Sequence, residues 1–352
     1  MKKSYLVTGG SGFLGSALVR RLVKAGHDVR VLDDDSRGNV SQLQDISKDF
    51  EFVGGDIRNP EVVEKATRGV DAVCHLAFVN GTEFFYSRPE LVLEVGVKGI
   101  VNVVDACLKH RVGELIVASS SEVYHNPPTV PTAEDCPMVI PDPMNPRYSY
   151  AAGKIISEII AINYGRTLLD RVVIFRPHNV YGPAMGWEHV VPQFILRMQE
   201  ACKDPADPVR FPIQGTGKQT RSFVFIDDFI DGLKLVIDKG EHLGIYHIGT
   251  MDEVTIEALA KKVGAYFGRP LRVMPSDEPL GGTPRRCPDV QKVMELGYRP
   301  KYSLEEGLKI TADWYTRHAG SAPLKSPIPI AAIPDRPAKG KTEEVAWRAA
   351  HP

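Results

Sequence analysis

The chain has no excess of either charge: 43 lysines and arginines stand against 44 aspartates and glutamates, a net charge of −1. Nucleic-acid or membrane-surface binding therefore gains no bulk electrostatic support. Cysteine is scarce. Cys74, Cys107, Cys136, Cys202 and Cys287 lie far apart and form neither a metal-ligand pair nor a disulfide ladder, which suits free thiols in a reducing compartment. No run approaches the roughly 20 apolar residues of a membrane span. Met1-Lys2-Lys3-Ser4 leads straight into a strand-like run without a signal-peptide core. There is no internal repeat. These absences predict a cytoplasmic protein with no membrane or nucleic-acid partner and no metal site. With 352 residues, 43% of them apolar, the chain exceeds one average domain and has ample core-forming material.

What is present begins at Thr8-Gly9-Gly10-Ser11-Gly12-Phe13-Leu14-Gly15. The run follows apolar Tyr5-Leu6-Val7 and precedes an amphipathic stretch from Ala17 to Ala25, so it reads as strand, glycine turn, helix. Gly9 allows the tight turn, Gly12 lets backbone approach a pyrophosphate, and Gly15 lets the helix pack on the strand. The helix N-terminus then offers free N–H groups and a positive dipole end to phosphates. A second apolar run, His27 to Leu32, ends at Asp33. An acidic side chain there accepts hydrogen bonds from an adenosine ribose and repels a 2′-phosphate, which favours NAD over NADP; nearby Arg37 argues the other way.

Strand-like and helix-like segments then alternate. Phe50–Gly54, Ala72–Ala77, Glu114–Ser119 and Arg171–Arg176 read as strands, with helices at Glu90–His110 and Ala151–Tyr164. This predicts an α/β fold: a Rossmann-type, doubly wound parallel sheet with its ligand beyond the strands' carboxyl ends. The alternation breaks near Asn179, and apolar runs return at 223–238 and 245–249. A cofactor domain of residues 1–178, joined by about 223–250, is therefore expected to interleave with a smaller α/β substrate lobe of residues 179–222 and 251–318. Residues 321–352, rich in Pro, Ala and Lys, read as a flexible tail.

Tyr150-Ala151-Ala152-Gly153-Lys154 places a phenol and an ammonium four residues apart, on one helix face. A nearby cation lowers a phenol's pKa from about 10, so such a tyrosine can take a proton from a sugar hydroxyl. Tyr148 lacks a lysine at that spacing. Ser119-Ser120-Ser121-Glu122-Val123-Tyr124 ends a predicted strand and supplies hydroxyls for a proton relay.

In chain order the motifs are Thr-Gly-x-x-Gly-x-x-Gly, Ser-Ser-Ser-x-Val-Tyr, Tyr-x-x-x-Lys and Arg-Pro-x-Asn-Val-Tyr-Gly-Pro. Over roughly residues 4–318 the chain resembles the extended short-chain dehydrogenase/reductase family, specifically its NAD-dependent nucleotide-sugar epimerases and dehydratases. The resemblance implies a tightly held NAD, reduced and reoxidised within one turnover, a nucleotide-diphosphate sugar substrate and a homodimer. It makes Tyr150 the catalytic base, Lys154 its pKa-lowering partner and Ser120 the catalytic hydroxyl. Gly9, Gly12, Phe13, Leu14, Gly15, Asp33, Asp56, Ile57, Leu76, Ala77, Ser119, Tyr150, Lys154 and Pro177 would hold the cofactor. Asn179 and Arg221 would hold the substrate diphosphate, His178 would lie close to the nicotinamide or the reacting sugar, and Arg286, or else Arg285, would substitute for an absent phosphate-binding arginine.

Several positions depart from the family pattern. Where Asn-x-x-Gly-Thr is usual, the run is Gly96-Val97-Lys98-Gly99-Ile100, and the glycine usual after Val-Tyr is His125. The asparagine's contribution must be replaced or lost. All relatives begin by oxidising a sugar C4 hydroxyl, and the fate of the 4-keto sugar separates them. Dehydratases carry Thr-Asp-Glu, but here the triplet is Ser120-Ser121-Glu122, so the acid is missing and the base is kept. The expectation is a 4-epimerase. The alternatives are a 4,6-dehydratase or a nucleotide-uronate decarboxylase using Glu122, and more remotely a non-catalytic NAD-binding scaffold.

Overall fold

The computed structural model describes residues 2–203, 208–277 and 282–322. Residues 323–352 of the expected tail lie outside them, as do Leu280 and Gly281 of the C-terminal glycine run. The first half runs β1 (Ser4–Thr8), α1 (Phe13–Lys24), β2 (Asp28–Asp33), β3 (Glu51–Gly54), α2 (Pro60–Thr67), β4 (Ala72–His75), α3 (Thr82–Ser87), α4 (Pro89–Leu93), α5 (Gly99–His110), β5 (Glu114–Ala118), α6 (Ser149–Gly165) and β6 (Arg171–Pro177). It continues with β7 (Val180–Tyr181), α7 (Val190–Ala201), β8 (Val209–Gln214), β9 (Thr220–Ser222), β10 (Val224–Phe225), α8 (Ile226–Lys239) and β11 (Gly244–Ile248). Last come β12 (Glu253–Thr255), α9 (Ile256–Tyr266), β13 (Leu271–Ser276), β14 (Arg285–Arg286), α10 (Gln291–Glu295) and α11 (Leu304–Arg317).

Seven strands form one sheet in the order β3-β2-β1-β4-β5-β6-β11, with every neighbouring pair parallel. Alternate strand residues feed two opposite cores, as the two-residue period requires. Leu6, Leu32, Val73, Leu115, Val172 and Ile174 meet side chains from α2 and α5. Val7, Val31, Cys74, Ile116, Val173 and Phe175 meet Leu18 and Leu22 of α1 and Phe229 and Leu233 of α8. Burial on both faces explains why these strands read as unbroken apolar runs. This is a Rossmann-like α/β fold. Its strand order reverses between β1 and β4, which opens a crevice at their carboxyl ends.

After β6 the chain builds small sheets, β10-β7, β12-β9-β14 and β13-β8, and returns to the main sheet through β11. One of the expected helices departs from expectation. Periodicity predicts one helix over Glu90–His110, but α4 and α5 are separated by a π-helical turn at Glu94–Lys98. The widened turn carries Gly96, which abuts the ring of Phe78, and is followed by Gly99 against Ile57. π turns of this kind commonly sit at functional sites.

Leu18, fully buried on α1, anchors the helix that supports the glycine turn. Leu18→Ala is expected to cost about 2–5 kcal/mol of stability, read as a lower urea midpoint with an unchanged slope.

Candidate active site

The crevice is a cleft of about 740 Å³, within the usual range of small-molecule sites. Its floor is the turn between β1 and α1. Gly9 adopts φ +72°, and a Cβ at Gly15 would overlap the Gly9 carbonyl oxygen, so neither position admits a side chain without backbone movement. Helix α1 starts at Gly12 with no side-chain cap and no acidic residue in its first turn. Its first N–H groups thus remain available where Phe13 and Leu14 line the cleft. Asp33 closes one end. Its carboxylate accepts from the Ser11 and Asp35 N–H groups at 3.0 and 2.9 Å, while burial pushes its pKa up. Asp56 is held by the Arg58 guanidinium at 2.6 Å, which lowers its pKa. Asn102 donates to the Ile57 carbonyl at 2.9 Å. Arg37 is turned to the Asn80 carbonyl at 2.8 Å and over the Phe84 ring. An uncapped helix end and a ribose-side carboxylate fit a dinucleotide.

The other end is built on α6. Tyr150, Lys154 and Glu158 follow at four-residue steps and are all buried. Lys154 Nζ donates to the Ala118 carbonyl at 2.7 Å and lies 4.0 Å from the centroid of the Phe78 ring. Burial pushes this ammonium down to about 7, with Glu158 opposing. Glu158 takes a two-pronged ion pair from Arg176 at 2.8 and 2.6 Å and a hydrogen bond from the Ser119 hydroxyl. Ser120 accepts from the Glu122 N–H at 3.2 Å and its hydroxyl reaches Tyr150.

Burial opposes the lowering expected of Lys154 at the Tyr150 phenol. In the protein alone that phenol is raised, chiefly by burial, with the Ser120 hydrogen bond and Arg286 pulling the other way and Glu122 adding to the rise. The Lys154 ammonium is 5.8 Å from the Tyr150 ring centroid and is committed to Ala118. The phenol instead sits in an aromatic cage, stacked on Phe85 at 4.9 Å and edge-on to Phe78 at 5.1 Å.

Glu122 projects into the same cleft between two arginines. Arg286 donates to it at 2.8 Å and Arg147 stands 3.9 Å away. Burial alone would raise this carboxyl, but Arg286, Arg147 and Arg221 together draw it down to about 2. It is therefore an ionised, clamped carboxylate and a weak base.

The cleft is lined by all the residues expected at the site except His178 and Arg221. His178 lies behind the lining. Alternation at the end of β6 turns Pro177 and Asn179 to the cleft, whereas His178 is buried edge-on against His247 at 4.6 Å. Burial holds it neutral, well below its ordinary pKa. Arg221 lies beside Arg286 in the β9–β14 register and donates to the Thr220 carbonyl at 2.7 Å. Asn179 lines the cleft at φ +42°, with its amide on the Ser222 carbonyl at 2.9 Å. Sequence reasoning missed Phe78, Phe85 and Arg147. Phe78 follows Leu76-Ala77 directly and Arg147 precedes the Tyr150 turn, so adjacency to motif residues was the available signal.

The family model of the NAD dependent epimerase/dehydratase family matches residues 5–249. The chain is 30% identical over 325 residues to a UDP-N-acetyl-alpha-D-glucosaminuronate decarboxylase of Bacillus cytotoxicus, covering 90% of this chain and 98% of the relative. A double mutant of a dTDP-glucose 4,6-dehydratase from Streptomyces venezuelae, solved with NAD bound, superposes with a TM-score of 0.80 at 31% identity, covering 90% of this chain and 98% of that one. UDP-glucose 4-epimerase from Thermotoga maritima, solved with UDP-glucose, gives 0.79 at 27% identity, covering 90% and 99%. The chain belongs to the NAD dependent epimerase/dehydratase family, and its cofactor is NAD.

The Glu122 clamp makes a pH prediction. A carboxyl held near 2 in the fold, against an ordinary 4.5, contributes stability that is fully present above about pH 5 and lost as pH falls toward 2. Glu122→Gln is expected to cost on the order of 2 kcal/mol near neutrality, after discounting for partial exposure. Its deficit in melting temperature should narrow as pH falls from 6 to 3. A deficit independent of pH would show that the arginines do not hold the charge.

Proposed function

We propose that this family member is a nucleotide-sugar 4-epimerase working through a transient 4-keto sugar. The observation that carries the reading is the clamped state of Glu122. Dehydration needs an acid for the leaving C6 hydroxyl and a base for the C5 proton. Ser121 stands where dehydratases have the acid, and a carboxylate drawn down to about 2 is a poor base. What remains beside Tyr150 is proton exchange at one hydroxyl.

In this reading the Gly9–Gly15 turn, Asp33, Asp56 and Leu76–Ala77 would hold NAD, which would supply a reversible hydride acceptor beside the sugar. Tyr150 takes the proton of the sugar 4-hydroxyl, and Ser120 orients that oxygen and relays the proton. Lys154 supplies the positive charge of the site from one turn along α6. Arg221, Arg286 and Asn179 hold the diphosphate end, so that nucleotide binding energy anchors the substrate while the sugar presents its other face. Arginine suits that role through its bidentate fork. The proposed division keeps a cofactor domain and a substrate lobe on either side of the cleft. The proposed homodimer pairs through α5 and α6, whose exposed Val101, Ile159 and Tyr164 supply apolar surface. A cytoplasmic location belongs to the same reading. No described helix is long and apolar enough to cross a membrane.

A second reading, nucleotide-uronate decarboxylation, is favoured by the charge balance. Two arginines, Arg147 and Arg286, flank the single carboxylate of Glu122, and the surplus suits an anionic group on the sugar. Such cations also stabilise a bound carboxylate in its ground state, which opposes loss of carbon dioxide. Epimerisation is therefore the preferred outcome even for a uronate.

Two measurements test the proposal. Tyr150→Phe is expected to lower kcat by about 10²- to 10⁴-fold while retaining NAD, and full activity in that variant refutes the assignment. Proton NMR in deuterated water, with NAD and a panel of nucleotide hexoses and hexuronates, should show a C4 epimer free of deuterium. Deuterium at C5 with loss of the C6 hydroxyl, or loss of the carboxylate, overturns epimerisation in favour of dehydration or decarboxylation.

A further inference from the structure

Gly96 stands in the π turn, and the space beside it is filled. A Cβ at Gly96 would overlap the tip of the Phe78 ring, with Cε2 at 2.5 Å. A Cβ at Gly153, between Tyr150 and Lys154 on α6, would stand 2.9 Å from Phe78 Cζ. The ring of Phe78 is thus wedged into a slot between the π turn at Glu94–Lys98 and α6, at the two positions that carry no side chain. From that slot it touches both members of the pair. Lys154 Nζ lies over its face at 4.0 Å, and the Tyr150 ring meets it edge-on, at 81° and 5.1 Å between centroids.

We propose that Phe78 is the positioning residue of the Tyr150–Lys154 pair, and that Gly96 and Gly153 are a matched slot for its ring. This rests on the assignment of Tyr150 and Lys154 as the working pair.

The chemistry supports such a role. Lys154 is buried, and its nearest carboxylate, Glu158, is already engaged by Arg176 and Ser119. A buried ammonium with one carbonyl partner is poorly compensated. The negative face of an aromatic ring stabilises it without accepting its proton. The ring favours the charged form of Lys154 against the burial that draws it down to about 7, and its rigidity fixes both the ammonium and the phenol. The groups facing Lys154 are the Ala118 carbonyl from β5, His75 from β4, Glu158 on its own helix, and the Phe78 and Tyr150 rings. His75 is held neutral by burial, down to about 3. Over the neutral and alkaline range the ring is the partner whose removal moves the lysine without altering any neighbouring charge.

The test is a double-mutant cycle read by NMR on lysine-labelled, NAD-loaded protein, with the Lys154 Cε resonance assigned by its loss in Lys154→Met. In the parent, the resonance should carry an upfield ring-current displacement. In Phe78→Leu, which keeps most of the bulk, that displacement should vanish. The titration midpoint should fall by about one pH unit, because the protonated form loses its partner. Gly96→Asn alone should perturb the Lys154 resonance by expelling the ring, and the same substitution in a Phe78→Ala background should perturb it less. On any substrate turned over in the panel, Phe78→Leu should lower kcat at least tenfold with KM little changed, and the alkaline limb of kcat should move down with the lysine midpoint.

An unchanged midpoint and ring-current displacement in Phe78→Leu, or strictly additive effects of the Gly96 and Phe78 substitutions, overturn the proposal. Tyr150→Phe separates the two levels. If it is inactive while Phe78→Leu behaves as the parent, only the positioning role fails. If it is fully active, the assignment of the pair fails first.

Discussion

The ion pair between Glu158 and Arg176 is the joint on which the reactive end of the cleft is built. The two side chains are 0% and 2% exposed and meet through two hydrogen bonds. Burying such a pair costs desolvation and is weak evidence for stability, but breaking it leaves an uncompensated buried charge. Its value lies in what it ties together. Glu158 belongs to α6, Arg176 to β6, and the Ser119 hydroxyl from the end of β5 donates to the same carboxylate. Arg176 also holds the Glu134 carbonyl at 2.8 Å and the Tyr124 hydroxyl, and Tyr124 meets His247 of β11 at 2.6 Å. Three parallel strands and the helix carrying Tyr150 are thereby locked in one register. The positions of Ser120 and Lys154 follow from it.

A second carboxylate, Glu122, shows how the same pairing yields a different result at the surface of a cleft. Glu158 is sealed and purely organises its surroundings. Glu122 faces ligand space, and its arginines arrive from the turn before α6 and from β14. Their convergence links the reactive helix to the small β12-β9-β14 sheet, which also carries Arg221. A ligand that draws Arg286 toward a phosphate or carboxylate necessarily loosens Glu122. The local charge balance, and with it the proton affinity of nearby groups, therefore depends on what occupies the cleft.

The parts of this arrangement that were legible in the sequence are those set by short-range geometry. The glycine turn, Asp33 at the end of β2, and the Tyr150–Lys154 spacing each depend on residues within one turn or one strand. The parallel sheet followed from apolar runs of strand length. What was not legible depends on contacts between distant segments. The break in the Glu90–His110 helix reflects Phe78 pressing on Gly96, and no local pattern marks a π turn. The burial of His178 depends on the pairing of β6 with β11, which sets its ring against His247. The raised phenol of Tyr150 depends on an aromatic cage from the segment after β4 and from α3. The depressed carboxyl of Glu122 needs Arg286, 164 positions away.

Burial moves the two members of the Tyr150–Lys154 pair in opposite directions. Burial keeps the proton on Tyr150 and weakens the hold of Lys154 on its own. A phenol raised in this way keeps its proton at neutral pH. The same low-dielectric surroundings magnify any positive charge brought into the cleft. A cation there lowers the phenol, and it competes with Lys154 for whatever negative charge develops. Within the protein, Ser120 and Arg286 already pull in that direction without overcoming burial. Activation of Tyr150 is then a property of the filled cleft rather than of a two-residue motif. A helix with the same Tyr-x-x-x-Lys spacing, placed at a solvated surface, would have neither the barrier nor the means of removing it.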